Sequence, residues 1–198
     1  MTQHAIPFVF MRGGTSRGPY MNRADLPDDP DALARVLIAL VGSGHPLNID
    51  GIGGGNAVTT KTAMLSRSKD DWADIDYFFA LVSVEERLVD TKPTCGNILV
   101  GVGPAAIEMG LITPAGDVTE VKIRAVNTGA RVLARVQTPG GAVTYAGAAQ
   151  IDGAGFFQIF WRILLPSAGP SAVVSIIWQF SNIWNDFLFG ASFAGADS

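Results

Sequence analysis

Cys95 is the residue whose type and surroundings best suit chemistry, and it is the one cysteine of the chain. A polar turn, Asp90 to Thr94, precedes it and an apolar run, Ile98 to Met109, follows it. This pattern predicts a helix that begins at Thr94 or Cys95. A thiol there lies among unpaired backbone N–H groups at the positive end of the helix dipole, and both features favour the reactive thiolate. The alternative is a buried structural thiol, the more common role of a lone cysteine.

Lys61 is the second candidate, because it opens a strand-like run after the glycine-rich stretch Asn48 to Asn56 (NIDGIGGGN). A partly buried lysine gives up its proton more readily and can act as a general base. A solvated lysine at a strand end is the alternative. The glycine-rich stretch is not a phosphate-binding P-loop, because the G-x-x-x-x-G-K-[ST] spacing is absent. It is not a dinucleotide fingerprint either, because no helix of the right length follows it.

The segment Arg12 to Gly18 (RGGTSRG) is the third candidate, and it follows a short apolar run, Ile6 to Met11, that predicts a buried strand. Arginine side chains match carboxylates with two hydrogen bonds, and glycines let the backbone approach a ligand closely. The alternative is a glycine-rich hairpin turn without a ligand.

The elements that must position these residues form an α/β pattern. Helical spacing of apolar residues predicts a scaffold helix over Asp31 to Val41. Strands are expected over residues 74–84, 118–126 and 131–137, with another that begins at 143. The run after Cys95 is apolar on nearly all sides, which predicts a helix buried all round that Pro104 kinks or shortens. One such helix among several strands indicates a sheet wrapped around a central helix.

Composition excludes several classes of function. The net charge of −4 and the lack of basic stretches give no case for nucleic-acid binding. A single cysteine excludes an internal disulfide bond and suits a reducing cytoplasm. The N-terminus lacks the pattern of a secretory signal. His4 and His45 are isolated from other ligand residues, so no metal site is expected.

Five motifs occur in a fixed order, and together they resemble one family. They are Met11 to Gly18 (MRGGTSRG), Ile49 to Gly55 (IDGIGGG), Thr60-Lys61, Cys95 to Asn97 with Val102 to Pro104, and Asn127 to Gly129 (NTG). Over residues 5–153 they resemble the PrpF group, 4-oxalomesaconate tautomerase and methylaconitate isomerase. The resemblance implies a diaminopimelate-epimerase-like fold of two similar halves with the substrate in the cleft between them. The resemblance covers only the first of these halves.

The family implies a 1,3-allylic proton shift on a small unsaturated tricarboxylate, without a cofactor. Lys61 and Cys95 match the positions of the acid/base pair. Backbone N–H groups near Cys95 and in the glycine loops would stabilise the developing negative charge. The expected substrate-binding residues are Arg12, Thr15, Ser16, Arg17, Gly54, Gly55, Gly96, Asn97, Asn127 and Thr128.

The C-terminal part departs from this pattern. Residues 1–153 are expected to form the PrpF-like domain and residues 154–198 an apolar tail, in which only Arg162, Asp186 and Asp197 are charged. Residues 147–195 resemble the EAA loop and following helix of an ABC sugar-transporter permease, which suggests a chimaera. No charge occurs from Ile163 to Asn185, so residues 163–189 could associate with a membrane, since about 20 apolar residues span a bilayer. A buried helix over 171–189 is the alternative.

Three functions are therefore open. The first is a cytoplasmic isomerase acting on a tricarboxylate, or an inactive remnant of one that lacks the second half. The second is a fragment of a transport permease that contacts an ATPase. The third is a domain that binds a tricarboxylate without turning it over. A partner chain could supply the missing half, so self-association is a further expectation.

Overall fold

The computed structural model describes residues 5–145, which form seven strands, three α-helices and two short 3₁₀-helices. The strands are β1 (Phe8–Gly13), β2 (Ser16–Asn22), β3 (Lys61–Arg67), β4 (Ile75–Val82), β5 (Val89–Asp90), β6 (Val118–Ala125) and β7 (Ala130–Gln137). The α-helices are α1 (Pro30–Val41), α2 (Gly96–Leu99) and α3 (Val102–Glu108). The expected domain boundary after residue 153 and the expected apolar tail lie outside the described residues.

One sheet contains all the described strands, in the order β1-β2-β3-β4-β6-β7, with the short β5 paired to β4. The pairs β2/β3 and β4/β6 are parallel and the other pairs are antiparallel. Parallel neighbours require a crossover connection, which usually contains a helix. Here α1 lies in the connection from β2 to β3, and α2 and α3 lie in the connection that leads to β6.

Helices cover both faces of the centre of the sheet. The face that packs against α2 and α3, which we call the α3 face, carries Tyr20, Ala63, Leu65, Tyr77, Phe79 and Ile123. The opposite face, which we call the α1 face, carries Met21, Met64, Ala80 and Val82. Because both faces are covered, β3 has four consecutive buried residues, Thr62 to Leu65, whereas β6 alternates between buried and exposed residues. The expected sheet around a central helix is confirmed.

Helix α1 confirms the predicted scaffold helix and begins one residue earlier than expected. The Asp29 side chain accepts a hydrogen bond from the backbone N–H of Ala32 at 2.7 Å and so caps the first turn. Pro30 occupies the first position, where its missing N–H costs nothing. The side chains that α1 buries against the sheet are Leu33, Leu37 and Val41.

Strands β1 and β2 form a hairpin, so the first glycine-rich segment is a hairpin turn, and ligand binding by this segment stays a prediction. Strand β1 spans Phe8–Gly13 instead of the expected Ile6 to Met11, and β2 begins at Ser16. The expected burial of β1 is wrong, since Phe8 and Phe10 are 41% and 42% exposed. The turn is therefore Gly14-Thr15, with Gly14 at a φ of 53°, as such tight turns require. Arg12 and Arg17 are direct cross-strand partners and not loop residues.

The helix expected after Cys95 is divided into α2 and α3. A proline ring collides with the carbonyl group four residues earlier, and Pro104 lies four residues after Val100, where the helix breaks. The prediction that Pro104 confines the regular helix is therefore confirmed, and Cys95 is the N-cap of α2 as predicted. The expectation of burial on all sides is wrong, since Val100 is 68% exposed. Helix α2 packs against the sheet on one side only.

The predicted strands 74–84, 118–126 and 131–137 are confirmed as β4, β6 and β7, each within slightly narrower bounds. The prediction of a strand that begins at residue 143 is wrong within the described residues, since Val143 to Tyr145 belong to no strand. The Thr144 N–H donates one hydrogen bond to the Gln137 carbonyl at 2.9 Å. A single backbone hydrogen bond is not enough to form a pair of β-strands.

Candidate active site

Lys61 and Cys95 lie 34 positions apart in the sequence, and the fold brings them into contact. Lys61 Nζ donates a hydrogen bond to Cys95 Sγ over 3.5 Å and another to Ser16 Oγ over 2.9 Å. The Ser16 side chain is fully buried, whereas Lys61 and Cys95 are half-buried. The lysine is therefore held by a fixed hydroxyl and remains accessible, as a group that exchanges protons with a ligand must be.

Strand periodicity explains why these residues share one face. Successive side chains of a strand point to opposite faces. Ala63 and Leu65 belong to the core of the α3 face, so Lys61, two residues before Ala63, projects to that face. Tyr20 pairs with Ala63 in the register of β2 and β3, and Ser16 shares its periodicity. Cys95 reaches the same face because α2 packs on it.

The β1–β2 turn meets the first turn of α2 directly. Asn97 Nδ2 donates a hydrogen bond to Thr15 Oγ1 at 2.8 Å. A Cβ atom added at Gly13 would overlap the Asn97 carbonyl oxygen, so only glycine permits this approach. The structure thus brings four of the predicted substrate-binding residues close to Lys61 and Cys95: Thr15, Ser16, Gly96 and Asn97.

Gly96 and Asn97 are exposed and begin α2. The first N–H groups of a helix have no partner within it and can bind a ligand oxygen. A Cβ atom added at Gly96 would contact nothing within 4 Å in the described part of the protein. Because α2 contains only four residues, its dipole is weaker than that of the long helix expected from the sequence.

Two buried tyrosines hold the start of α2, and sequence reasoning missed both. Tyr20 donates its hydroxyl hydrogen to the Ile98 carbonyl at 2.6 Å, and Tyr77 donates to the Cys95 carbonyl at 3.3 Å. Burial, with a smaller contribution from negative charge on Cys95, raises the pKa of both hydroxyls well above the ordinary tyrosine value. Both remain protonated donors at neutral pH. Only strand pairing reveals them, because no local motif marks either residue.

Arg12 and Arg17 are not brought to the Lys61–Cys95 contact. Strand periodicity places both on the α1 face, and the Arg17 guanidinium lies over the Phe10 ring at 5.8 Å. A Cβ atom at Gly54 would come within 2.7 Å of an Arg17 terminal nitrogen, so Gly54 lies beside this arginine. The Arg17 Nε atom is buried and has no hydrogen-bond partner among the described residues. Carboxylate binding by these arginines stays a prediction.

The second glycine-rich loop is organised from within by Asn48. This side chain is buried and donates to the carbonyl groups of Gly42, His45 and Val84. Its Oδ1 accepts from the Gly55 N–H at 2.8 Å. The Gly55 N–H is therefore already engaged by the protein, and its predicted contact with a ligand stays a prediction.

Asn127 and Thr128 lie in the turn between β6 and β7. The Asn127 side chain accepts from the Phe79 N–H at 2.8 Å and donates to the Phe79 carbonyl at 2.9 Å and to the Thr91 carbonyl. Thr128 Oγ1 accepts from the Ala130 N–H at 3.4 Å. Asn127 thus ties β4 to the segment that leads to Cys95. Substrate binding by either residue stays a prediction.

The sequence profile described as PrpF protein matches residues 3–161, which is most of the chain. The chain belongs to the PrpF family. Its fold is, as expected, one half of the diaminopimelate-epimerase-like fold. It superposes on the crystal structure of methylitaconate-delta-isomerase with a TM-score of 0.69 and 38% sequence identity. The match covers 72% of this chain and 63% of that one.

Several curated relatives of this PrpF-family chain are named as isomerases. It is 56% identical over 148 residues to the putative isomerase YbhH of Escherichia coli (strain K12), which covers 75% of this chain and 42% of YbhH. It is 48% identical over 153 residues to 4-oxalomesaconate tautomerase of Pseudomonas putida, covering 77% of this chain and 42% of the relative. This PrpF-family chain thus spans less than half the length of these relatives.

A second profile, described as binding-protein-dependent transport system inner membrane component, matches residues 144–197. This match agrees with the predicted resemblance of the C-terminal part to a transport permease but covers only a minor part of the chain, so the suggested chimaera stays a prediction. Nearly all of this match lies outside the described residues, as does the predicted membrane-associated segment 163–189. Within residues 5–145, no helix is long and apolar enough to cross a membrane. The same residues contain no group of three or more metal-binding side chains.

Proposed function

We propose that this protein is an isomerase that catalyses a 1,3-allylic proton shift on a small unsaturated tricarboxylate such as 4-oxalomesaconate or methylaconitate, without a cofactor. The contact between Lys61 Nζ and Cys95 Sγ at 3.5 Å is the observation that carries this proposal. An allylic shift needs one group that removes a proton and another that returns one two carbons away. Two such groups on the same face of the sheet can act on the same side of one substrate.

The proton balance follows from the direct contact of the pair. The Cys95 thiolate takes a proton from the carbon next to a carboxylate and becomes a thiol. The Lys61 ammonium gives a proton to the carbon two positions along and becomes an amine. A proton then passes from the thiol to the amine across their hydrogen bond, which restores the starting state. With the opposite substrate the same two groups act in exchanged roles.

The negative charge that develops on the substrate needs hydrogen-bond donors. The exposed N–H groups of Gly96 and Asn97 start α2 directly beside Cys95. Thr15 lies next to them through its hydrogen bond with Asn97. We assign the developing oxyanion and one carboxylate to this cluster. The Ser16 hydroxyl holds Lys61 at the edge of the same cluster.

The names of the relatives support a small-molecule substrate. One relative is 4-oxalomesaconate tautomerase, another is 3-methylitaconate isomerase of Eubacterium barkeri, and a third is 2-methyl-aconitate isomerase of Cupriavidus necator. Their substrates differ, so the exact carboxylate is part of the proposal. A cytoplasmic location and association with another chain also stay predictions. The transport alternative gains no support from these relatives.

The test is hydrogen exchange followed by NMR. The full-length chain is incubated with an unsaturated tricarboxylate in heavy water, beside Cys95→Ser and Lys61→Ala. We expect deuterium to enter the allylic position with the wild type and the rate to fall roughly 10²–10⁴-fold in each variant, the usual contribution of an acid or base. Exchange at the wild-type rate in both variants would reject the assigned pair.

A second candidate is a domain that binds a tricarboxylate without turning it over. It needs only the hydrogen-bond donors of Thr15, Gly96 and Asn97 beside the half-buried Cys95, and not proton transfer by Lys61. The same experiment separates the two candidates when calorimetry is added. Binding heat without deuterium entry in folded wild-type protein would support the binding domain, whereas deuterium entry would support the isomerase.

A further inference from the structure

Helix α2 cannot position Cys95 by its own stability. It contains one turn, Gly96–Leu99, and its N-cap makes no side-chain hydrogen bond. Helices this short do not persist in isolation, because the first turn fixes several residues for one hydrogen bond. The break at Gly101 also separates α2 from α3. The position of Cys95 must therefore come from contacts with the sheet.

We propose that Tyr20 and Tyr77 are positioning residues that set the distance between Cys95 Sγ and Lys61 Nζ. Their hydroxyls bond the carbonyls of Ile98 and Cys95, at the two ends of the α2 turn. This inference rests on the proposed function of the Lys61–Cys95 pair.

The strand order makes these two residues well placed for this role. Tyr20 stands on β2 and Tyr77 on β4, and these are the two neighbours of β3, the strand that begins with Lys61. In the register, Tyr20 pairs with Ala63 and Tyr77 pairs with Leu65. Both rings are fully buried on the α3 face. The α2 turn is thus attached to the strands on both sides of the lysine.

The backbone between α2 and α3 leaves room for the Tyr20 hydroxyl. A Cβ atom at Gly101 would overlap the Tyr20 hydroxyl oxygen. The Ile98 carbonyl, which accepts that hydroxyl, also accepts the Gly101 N–H at 3.0 Å. The Cys95 carbonyl is shared in the same way between Tyr77 and the Leu99 N–H, the latter at 2.9 Å.

The two hydroxyls act on Cys95 through the backbone, because they donate to carbonyl groups and not to the sulfur. Lys61 is the charged group that contacts the sulfur, from β3. The other charged residues close to Cys95 in the sequence are Asp90 and Lys92, which belong to the segment that leads to it. If either tyrosine hydroxyl is removed, the turn can move away from Lys61, and the ammonium then stabilises the thiolate less well.

The test is the rate of Cys95 alkylation by iodoacetamide as a function of pH, in the full-length chain. The variants are Tyr20→Phe and Tyr77→Phe. Thr62→Val is the matched control, because it removes another buried hydroxyl that donates to a backbone carbonyl, that of Ala80, on the α1 face. We expect alkylation at neutral pH to slow about tenfold in the first two variants, the effect of about one hydrogen bond, and the profile to move to higher pH. The control should follow the wild type.

A purely structural role would lower the melting temperature and leave the alkylation profile unchanged, and this result would overturn the proposal. If a variant does not fold, the wild type with ¹³Cζ-labelled tyrosine replaces it. Of the three tyrosine resonances, the two buried ones should shift when Cys95 is alkylated, and their failure to shift would also overturn the proposal. Alkylation requires no turnover. An inactive wild type with altered profiles in the variants would therefore reject the proposed function and retain the positioning role.

Discussion

Helices cover both faces of the sheet at its centre, yet the two faces place the polar residues of one short motif in different surroundings. On the α3 face, Ser16 holds Lys61 beside Cys95. On the α1 face, Arg17 lies over the ring of Phe10. Ser16 and Arg17 are neighbours in the sequence, but strand alternation directs them to opposite faces. A motif therefore names candidate residues, and the register of the strands decides which of them can act together.

The two faces also differ in how the helix on each face is stabilised. The α1 face is covered by a twelve-residue helix with a capped first turn, which is stable scaffold. The α3 face receives Cys95 on a single turn that the sheet holds by tyrosine hydroxyls. We therefore expect changes on the α3 face to affect both stability and chemistry, and changes on the α1 face to affect stability alone.

The largest expected effect comes from substitutions that create one cavity on each face of the sheet. Leu37 lies on α1 and Ile98 on α2, and both are fully buried. Leu37→Ala and Ile98→Ala should each lower the free energy of unfolding by about 2–5 kcal/mol, measured by urea denaturation. Only Ile98→Ala should also slow alkylation of Cys95. Equal slowing in both variants would show that the two faces are coupled.

The next effect is a loss of stability in alkali that originates on the α3 face. The pKa values of Tyr20 and Tyr77 are raised in the folded state, first by burial. A group of this kind stabilises the folded state fully below its unfolded pKa of about 10, and the stabilisation is lost as pH rises through the folded pKa. Urea denaturation at increasing pH should show this decline above about pH 10.

Tyr77→Phe should make that alkaline decline shallower, because phenylalanine does not titrate. A decline of the same steepness in Tyr77→Phe would assign the alkaline sensitivity to other groups.

A smaller effect is expected at Gly96, where an added Cβ contacts nothing within 4 Å in the described part of the protein. Gly96→Ala should keep or slightly raise stability, since alanine favours a helix by up to about 1 kcal/mol over glycine. It should slow deuterium exchange into the substrate about tenfold, as a methyl group beside Cys95 displaces the bound substrate by a fraction of an ångström. Val100→Ala, in the exposed part of the same segment, is the control and should change neither property.

The smallest effect is expected on the α1 face. Arg12→Met and Arg17→Met retain most of each side chain but remove the charge. The deuterium-exchange rate and the substrate concentration at half-maximal rate should each change by less than about threefold, because both side chains lie on the α1 face, away from the Lys61–Cys95 contact. A tenfold or greater rise in that concentration would establish that one of these arginines binds a substrate carboxylate, as predicted from the sequence.

Local patterns predicted most of the secondary structure correctly, because periodicity and turn residues act over a few positions. Helix α1 and strands β4, β6 and β7 lie within a few residues of their expected bounds. The surroundings of the helix after Cys95 were harder to predict, since its apolar composition predicted burial on all sides. Pro104 marks the break in the sequence itself, but the 68% exposure of Val100 depends on how the two short helices pack on the sheet.

The sequence by itself determined the family, the α/β pattern and the two residues proposed to move protons, because ordered motifs and a unique cysteine are visible without any coordinates. Only the tertiary structure decided that Lys61 and Cys95 touch, that Arg12 and Arg17 lie on the other face, and that Tyr20 and Tyr77 hold the α2 turn. Each of these facts depends on strand register and on pairing between distant segments. Such pairing is set by the packing of the whole sheet and not by any one stretch of chain.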